Sequence, residues 1–214
     1  MRLRDALVLI TVALLVTACS VTRGSGQLAK ESQPVSGFTK VELSGTGQLR
    51  LDKTGTESLT ISAEDNILPR LTSKVSGDTL ILATKPNTTI VTTKPITYSL
   101  TVKDLTGLAL SGSGNIRIQN LTTTALSIQI SSSGTITANG TANDQDLEIS
   151  GSGRYIADGM TSKTVKARIS GSGTASVAAM DVLDVKISGS RTLTYSGDPQ
   201  ITQEISGSGK LIKK

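Results

Sequence analysis

The 214-residue chain contains no histidine, no tryptophan and a single cysteine, and aromatic residues make up 2% of it. Without histidine there is no Ser-His-Asp or Cys-His nucleophile and no histidine-ligated metal. One cysteine cannot build a disulfide framework. With one Phe and three Tyr, stacking platforms for bases or sugars are nearly excluded, and a core has to be made of Ile, Leu, Val and Ala. A membrane-spanning helix takes ~20 apolar residues, and the apolar run at positions 6–16 is too short for one. The formal charge is +5, but Lys and Arg are scattered, without a block of five or interleaved aromatics. Nucleic-acid binding calls for a clustered basic face, so a solvated surface and no nucleic-acid partner are expected.

What the first twenty residues do have is an address. Arg2 and Arg4 precede the apolar run, and Val16-Thr17-Ala18-Cys19 follows it. A charged start, a short apolar middle and small residues form a secretory signal. Val16-Thr17-Ala18-Cys19 resembles a bacterial lipobox, in which the chain is cut before the cysteine and the thiol is acylated. The alternative is an ordinary secretory peptide with an incidental cysteine. The only thiol sits where lipidation requires it, which favours residues 1–18 as a lipoprotein signal peptide and Cys19 as the lipidation site. Several acyl chains on one residue hold a protein firmly, at ~0.8 kcal/mol per buried methylene. The expected location is the bacterial cell envelope, with Ser20 pointing to the outer membrane. Residues 19–33, with Gly24, Ser25, Gly26, Gln27 and Gln33, are expected to form a flexible tether after the cysteine.

A repeat then dominates. Four-residue units begin at Ser111, Ser131, Ser150, Ser170, Ser188 and Ser206, spaced 20, 19, 20, 18 and 18 residues apart. A seventh begins at Ser44, 67 residues before Ser111. The residue before each unit is Leu43, Leu110, Ile130, Ile149, Ile169, Ile187 or Ile205, and two earlier stand Val41, Leu108, Ile128, Leu147, Ala167, Val185 and Gln203. The second residue after each unit is Leu49, Ile116, Ile136, Tyr155, Ala175, Leu193 or Leu211. Period-two alternation on both sides of a Gly-rich turn reads as strand, corner, strand. Short strands are not stable alone, but rungs that coil once and stack at ~4.8 Å bury continuous columns. An up-and-down sandwich or barrel is the competing architecture, yet its successive turns alternate ends and need not look alike. The expected fold is all-β: a single-stranded parallel β-helix, or β-solenoid, with rungs of about 18–20 residues.

Within the corners the first position is always Ser, at Ser44, Ser111, Ser131, Ser150, Ser170, Ser188 and Ser206, and the third is Ser or Thr. Glycine gives way to Ser132 in one unit and Arg191 in another. The recurring hydroxyls are expected to form a structural corner ladder, bonding one another and nearby backbone; the functional alternative is an exposed hydroxyl array for glycan or ice. Stacking in register would also place Glu148 beside Arg168 and Lys186 beside Glu204.

Residues 34–107 are β-rich without clean periodicity, with strands expected at 40–43, 48–52, 58–62, 68–74, 79–83 and 97–103 and a turn at Gly77-Asp78. This segment is expected to form the first, wider rungs and a cap, continuous with the regular rungs of 108–214. The segments Gly37-Phe38, Val41 to Gly47, Glu64-Asp65-Asn66-Ile67-Leu68-Pro69, Gly77 to Ile81 and Leu108 to Ile116, in that order, resemble the bacterial family described as putative auto-transporter adhesin, head GIN domain. That resemblance implies a right-handed β-solenoid at the cell envelope and brings no catalytic residues with it.

The acidic residues are the candidates for chemistry, since β-helices that cut polysaccharides need paired carboxylates or calcium ligands. Glu64-Asp65 lie in an expected turn, and Asp144, Asp146 and Glu148 alternate so that they could share a face and hold a cation; the plainer reading is a solvated acidic edge. The Gly-Ser-Gly corners lack the Lys and helix of a phosphate loop and the frame of a nucleophile elbow. A non-enzymatic envelope lipoprotein without a cofactor is therefore expected. Its partners would be the membrane, through the lipid, and a glycan or envelope protein on a solenoid face. A purely structural lipoprotein and, behind it, a polysaccharide-active enzyme are the alternatives.

Overall fold

The computed structural model describes residues 20–214; the signal peptide expected at 1–18 and the expected lipidation site Cys19 lie outside the described residues. The molecule is a β-solenoid of about five turns. Nine strands make up its first part: β1 (Ser20–Arg23), β2 (Leu28–Gln33), β3 (Lys40–Leu43), β4 (Gln48–Lys53), β5 (Ser58–Glu64), β6 (Leu71–Ser76), β7 (Thr79–Thr84), β8 (Thr88–Val91) and β9 (Thr97–Val102). The regular part is built from β10 (Gly107–Leu110), β11 (Asn115–Ile130), β12 (Thr135–Ile149), β13 (Arg154–Ile169), β14 (Thr174–Ser188), β15 (Thr192–Ser196), β16 (Gln200–Ser206) and β17 (Lys210–Lys213).

From β10 onward each rung pairs in parallel with the next, and the register is the one the repeat requires. Leu43, Leu110, Ile130, Ile149, Ile169, Ile187 and Ile205 face one another strand by strand. So do Leu49, Ile116, Ile136, Tyr155, Ala175, Leu193 and Leu211. Nearly all of these side chains are buried, with Ile205 and Leu211 partly open on the last turns. Each such aliphatic side chain contributes roughly 1.5–3 kcal/mol on burial, and the columns form a mostly aliphatic core in which Phe38, Tyr98 and Tyr155 are the buried aromatics. The rungs are longer continuous strands than four-residue pieces. β11 to β14 each run for 15 or 16 residues, bending where two exposed neighbours interrupt the alternation, as at Gln119-Asn120. Asn120 has φ 54°, and Gly140 on the next rung has φ 135°.

The 67-residue gap between Ser44 and Ser111 has a topological cause. β3 lies between β7 and β10, and β4 lies between β9 and β11. The chain lays down the 40–53 rung, leaves it to build a rung from β7 and β9 on one side, and returns at β10 on the other. Spatial order therefore departs from chain order here, which is why this stretch lacks the period. The far end is closed by antiparallel pairing: β6 with β7 through a hairpin at Gly77-Asp78, and β5 with β9 and β2. Antiparallel additions blunt the edge that a bare solenoid end would expose.

Two expectations need correction. Residues 20–33 are not a flexible tether. β1 pairs in parallel with β8, and β2 adds an antiparallel strand to β5 from Leu28↔Glu64 to Gln33↔Leu59. The polar composition reflects an edge strand largely exposed on both faces. Its turn is tied down as well: the Ser25 amide donates to Asn66 Oδ1 at 3.0 Å, and Asn66 Nδ2 donates to the Arg23 carbonyl at 2.7 Å. The strand expected at 68–74 begins instead at Leu71, because Leu68–Arg70, with Pro69, form a 3₁₀ turn.

Candidate binding faces

Two broad outward faces and one edge are open to a ligand. The edge is the corner column. All seven first-position serines stack there, and apart from half-buried Ser44 they are exposed. The hydroxyls do not form the expected mutual ladder. Ser44 Oγ donates to the Leu82 carbonyl at 3.4 Å and Ser111 Oγ to Glu42 Oε1 at 2.8 Å. The corner is instead held by amides: Ser131 N donates to the Leu110 carbonyl at 3.1 Å, Ser150 N to Ile130 at 3.0 Å and Ser170 N to Ile149 at 2.9 Å. Glycine matters here through close approach. A Cβ on Gly134 would sit 2.0 Å from the Gly114 carbonyl oxygen, and one on Gly171 would sit 2.1 Å from that of Gly151. The variant corner at Ser132 tolerates a side chain, whose Oγ donates to the Leu110 carbonyl.

The first face carries the outward residues of β3, β10 and the second halves of β11 to β14. Asp146, Lys166 and Asp184 alternate in sign along one row, and in the next the neighbouring cations Arg168 and Lys186 are flanked by Glu148 and Glu204. Arg168 does face Glu148, but its guanidinium bonds Asp146 at 2.9 Å; Lys186 bonds Glu204 at 2.8 Å as expected. The latter contact raises the Lys186 ammonium and lowers the Glu204 carboxyl from their ordinary pKa values. Asp144, Asp146 and Glu148 do alternate outward, yet Asp146 is taken by Arg168. Among the described residues no group of three acidic or cysteine side chains converges as a metal site would.

The second face is made by β9, β4, the first halves of β11 to β14, β15 and β17. A groove of about 750 Å³ crosses it over β4, β11 and β12, and its walls include Gln48, Arg50, Asp52, Asn115, Arg117 and Gln119. Arg50 and Arg117 are direct partners in adjacent parallel strands, with Ser99 beyond one and Thr137 beyond the other. Both are exposed, and neither is paired with a carboxylate among the described residues. Like charges directly opposite each other in a sheet are destabilising. The paired arginines escaped the reading of the sequence. A signal was there, since each stands six residues after its corner serine, Ser44 or Ser111. The topological excursion hid that their rungs are neighbours.

Glu64 does not lie in an exposed turn. It is wholly buried at the capped end, where its carboxylate accepts from the Thr93 hydroxyl at 2.7 Å, the Gly26 amide at 2.7 Å and the Thr93 amide at 3.1 Å. The Thr93 hydroxyl, with help from the amides, holds its pKa below the ordinary glutamate value. With every bond directed to neighbouring chain, Glu64 is a structural clamp and not an acid aimed at a ligand. Asp65 bonds Ser25 Oγ at 2.5 Å. A second buried polar group lies inside the regular rungs, where Tyr155 Oη donates to Gln145 Oε1 at 2.7 Å and Gln145 in turn donates to Ser162.

Among the described residues no helix is long and apolar enough to cross a membrane. Residues 37–199 match the family model described as "Putative auto-transporter adhesin, head GIN domain". Among solved structures, one described as a putative adhesin from Bacteroides fragilis is 24% identical, with a TM-score of 0.74, covering 90% of this chain and all of its own. A putative adhesin from Parabacteroides distasonis is 18% identical (TM-score 0.53; 91% of this chain, 100% of its own). A protein from the same species described as a putative lipid binding protein is 22% identical (TM-score 0.56; 91% and 100%). No curated protein matches the chain.

Proposed function

The chain belongs to the putative auto-transporter adhesin, head GIN domain family, and from that premise we propose that it is a non-catalytic, adhesin-like binding module of the bacterial cell envelope. Acyl chains on Cys19 hold it at a membrane, the outer membrane by the sorting residue Ser20. A solenoid face contacts a surface polymer or an envelope protein. The observation that carries this reading is the rigid, ordered stack of outward polar rows. These are held in fixed register from β3 to β16. Such a surface is long, flat and repetitive, and suits an extended partner better than a small molecule. A carboxylate pair aimed into a cleft would support hydrolysis; the acidic residues considered above are instead committed to ion pairs or clamps, or stand alone on the surface. The cysteine at the end of a charged, apolar and small-residue leader supports the anchor.

The test uses the full chain, purified from membranes in detergent and offered to a glycan array and to envelope fractions. Retention of a polymer or protein is expected. No binding, together with an envelope defect on deletion, would leave a purely structural lipoprotein. Glycan cleavage that needs a cation and is lost in D144N/D146N would establish an enzyme instead. Metabolic labelling with a fatty acid is expected to mark the wild type and not Cys19→Ser, and protease shaving of intact cells locates the module on either side of the membrane.

A further inference from the structure

The two outward faces treat their cations differently, and the difference points to a ligand. On the first face Lys166 has Asp146 and Asp184 in register on either side, and although Arg168 and Lys186 are neighbours, each has an acid on its other side, Glu148 for Arg168 and Glu204 for Lys186. On the second face Arg50 has Ser99 and Arg117, Arg117 has Arg50 and Thr137, and Arg154 has Thr135 and Thr174. No acid stands in register with any of these three arginines. Of the acids on this face, Asp158 is occupied by Lys214 at 2.6 Å and by Ser176, and Asp52 makes no ion pair among the described residues. The backbones of Arg50 and Arg117 thus lie one strand spacing apart, roughly 4.8 Å, on a stiff sheet and beside a groove of about 750 Å³, so both guanidinium groups can reach one ligand there. A guanidinium is a planar fork that binds carboxylate or phosphate oxygens in pairs, and a bound anion removes the repulsion that the apo sheet carries.

The remaining walls narrow the partner. Gln48, Gln119 and Asn115 offer amide donors and acceptors at the groove rim, the complement of sugar hydroxyls. Flat stacking on an aromatic ring is not on offer at the groove: Phe38, Tyr98 and Tyr155 are buried, and half-buried Tyr195 packs against the core on β15, three strands beyond β12. A neutral sugar chain or a nucleic-acid base depends on such a ring, whereas an anionic sugar does not. The groove is an open channel across three strands, which lets a polymer pass through.

We propose that the groove over β4, β11 and β12 is a binding site for an anionic polysaccharide, with Arg50 and Arg117 clamping its acidic group and the neighbouring amide side chains bonding its hydroxyls. This deepens the adhesin-like reading and rests on it. The Arg50–Arg117 pair exists only because the 40–53 rung stacks directly on the 107–130 rung, so the site is a product of the topological excursion.

Full-length protein and the double variant R50Q/R117Q are compared for binding to a galacturonic acid polymer, with K166Q/K186Q on the first face as control. Wild type and control are expected to bind alike, and R50Q/R117Q to lose about tenfold or more, the scale of one charge-assisted hydrogen bond. The double variant should melt no lower than wild type, since it loses a like-charge pair. Equal binding by wild type and R50Q/R117Q overturns the site, as does absence of binding to the acidic polymer. If the wild type then still holds a neutral glycan or an envelope protein, the broader binding function survives and only the site falls. Three further probes separate other sources of anion. Arginine-dependent binding to phosphatidylglycerol vesicles, to single-stranded DNA or to inorganic phosphate alone, without binding to the polymer, overturns the polysaccharide assignment.

Discussion

Residues 107–214 and residues 20–106 build the same kind of sheet by opposite means. In the first region every rung repeats the last, so one set of contacts is made several times: the same carbonyl under the same corner amide, the same aliphatic column, the same row of surface charge. In the second, most contacts occur once. Glu64 joins the Gly26 turn to the Thr93 loop, and Glu57 accepts from the amides of Gly37 and Phe38 at 2.9 and 3.3 Å. The rung of β7 and β9 stacks on a rung that precedes it in the chain. Repetition makes a core cheap to specify, while single contacts make an end. An endless stack of rungs would expose a sheet edge, and the irregular region supplies the closure that the repeat cannot.

The sharpest way to break this contrast is through glycine. A Cβ on Gly134 would meet the Gly114 carbonyl oxygen at 2.0 Å and Leu110 Cδ2 at 2.8 Å, with backbone on one side and core on the other. Gly55, in the irregular region, has φ 84° and nothing within 4 Å of an added Cβ. Gly134→Ala is expected to cost about 3 kcal/mol or more by forcing rungs apart. Gly55→Ala should cost about 1 kcal/mol, for the left-handed backbone alone. Denaturant midpoints of the two variants test the ranking. Equal losses would mean that the corners do not stack closely enough to exclude a methyl group.

The two buried tyrosines give a smaller and opposite pair of effects. Tyr155 donates to Gln145, so Tyr155→Phe leaves a buried amide oxygen short of a partner and should destabilise by about 1–2 kcal/mol. Tyr98 is equally buried, but its hydroxyl finds no partner among the described residues, and burial pushes its pKa up to about 12. Tyr98→Phe is therefore expected to be neutral or to stabilise by up to about 1 kcal/mol. Thermal melts of both variants read the difference, and a loss at Tyr98 equal to that at Tyr155 would contradict it.

What could be read from the residues follows the same division. The columns headed by Leu43, Leu110 and Ile130 and by Leu49, Ile116 and Ile136 were legible because alternation and spacing act locally and repeat. Even the pairing of Lys186 with Glu204 followed from counting along rungs. The partner of Arg168 did not, because a long guanidinium reaches Asp146 diagonally as readily as Glu148 directly. The strands β1, β2 and β8 were hidden for a different reason. An edge strand exposed on both faces has no alternation to show, and β8 sits between prolines. Register across the excursion was also hidden, since nothing local in residues 54–106 says that the chain will come back alongside β3 and β4. That loss carried the Arg50–Arg117 pair with it. Spacing shows where the corners fall but not how they are held, since the amides of Ser131, Ser150 and Ser170 make the recurring bonds between corners.

Acid provides a test confined to the irregular end. The folded state lowers the Glu64 pKa, so the unfolded chain takes up the proton first as pH falls. Its contribution is fully present above the ordinary glutamate value and is lost as pH drops through the lower folded value. Amide exchange in 24–33 and 58–64, scaled to that of β12 and β13, is expected to quicken below the ordinary glutamate range. Glu64→Gln should remove that pH dependence while leaving β12 and β13 as they were. Simultaneous loosening of both regions would mean that the cap and the rungs unfold as one unit and that Glu64 is not its local clamp.

The smallest expected effect lies on the charge-paired face. Arg168 and Asp146 bond at 2.9 Å, with about half of each side chain exposed. Water screens such a pair, and two long side chains lose freedom to hold it, so exposed pairs contribute little. Arg168→Gln should shift stability by less than about 0.5 kcal/mol, well below either glycine or Tyr155. Its consequence lies in which alternatives remain closed. Losing Arg168 leaves Asp146 beside Lys166 and Glu148 without a cation in register, and weakens the opposite-charge matching that makes a one-rung slip unfavourable. A Tm within a degree or two of wild type, with unchanged β12–β13 exchange, is the expected result. A large drop would show that surface charge, rather than the aliphatic columns, fixes the register of the repeat.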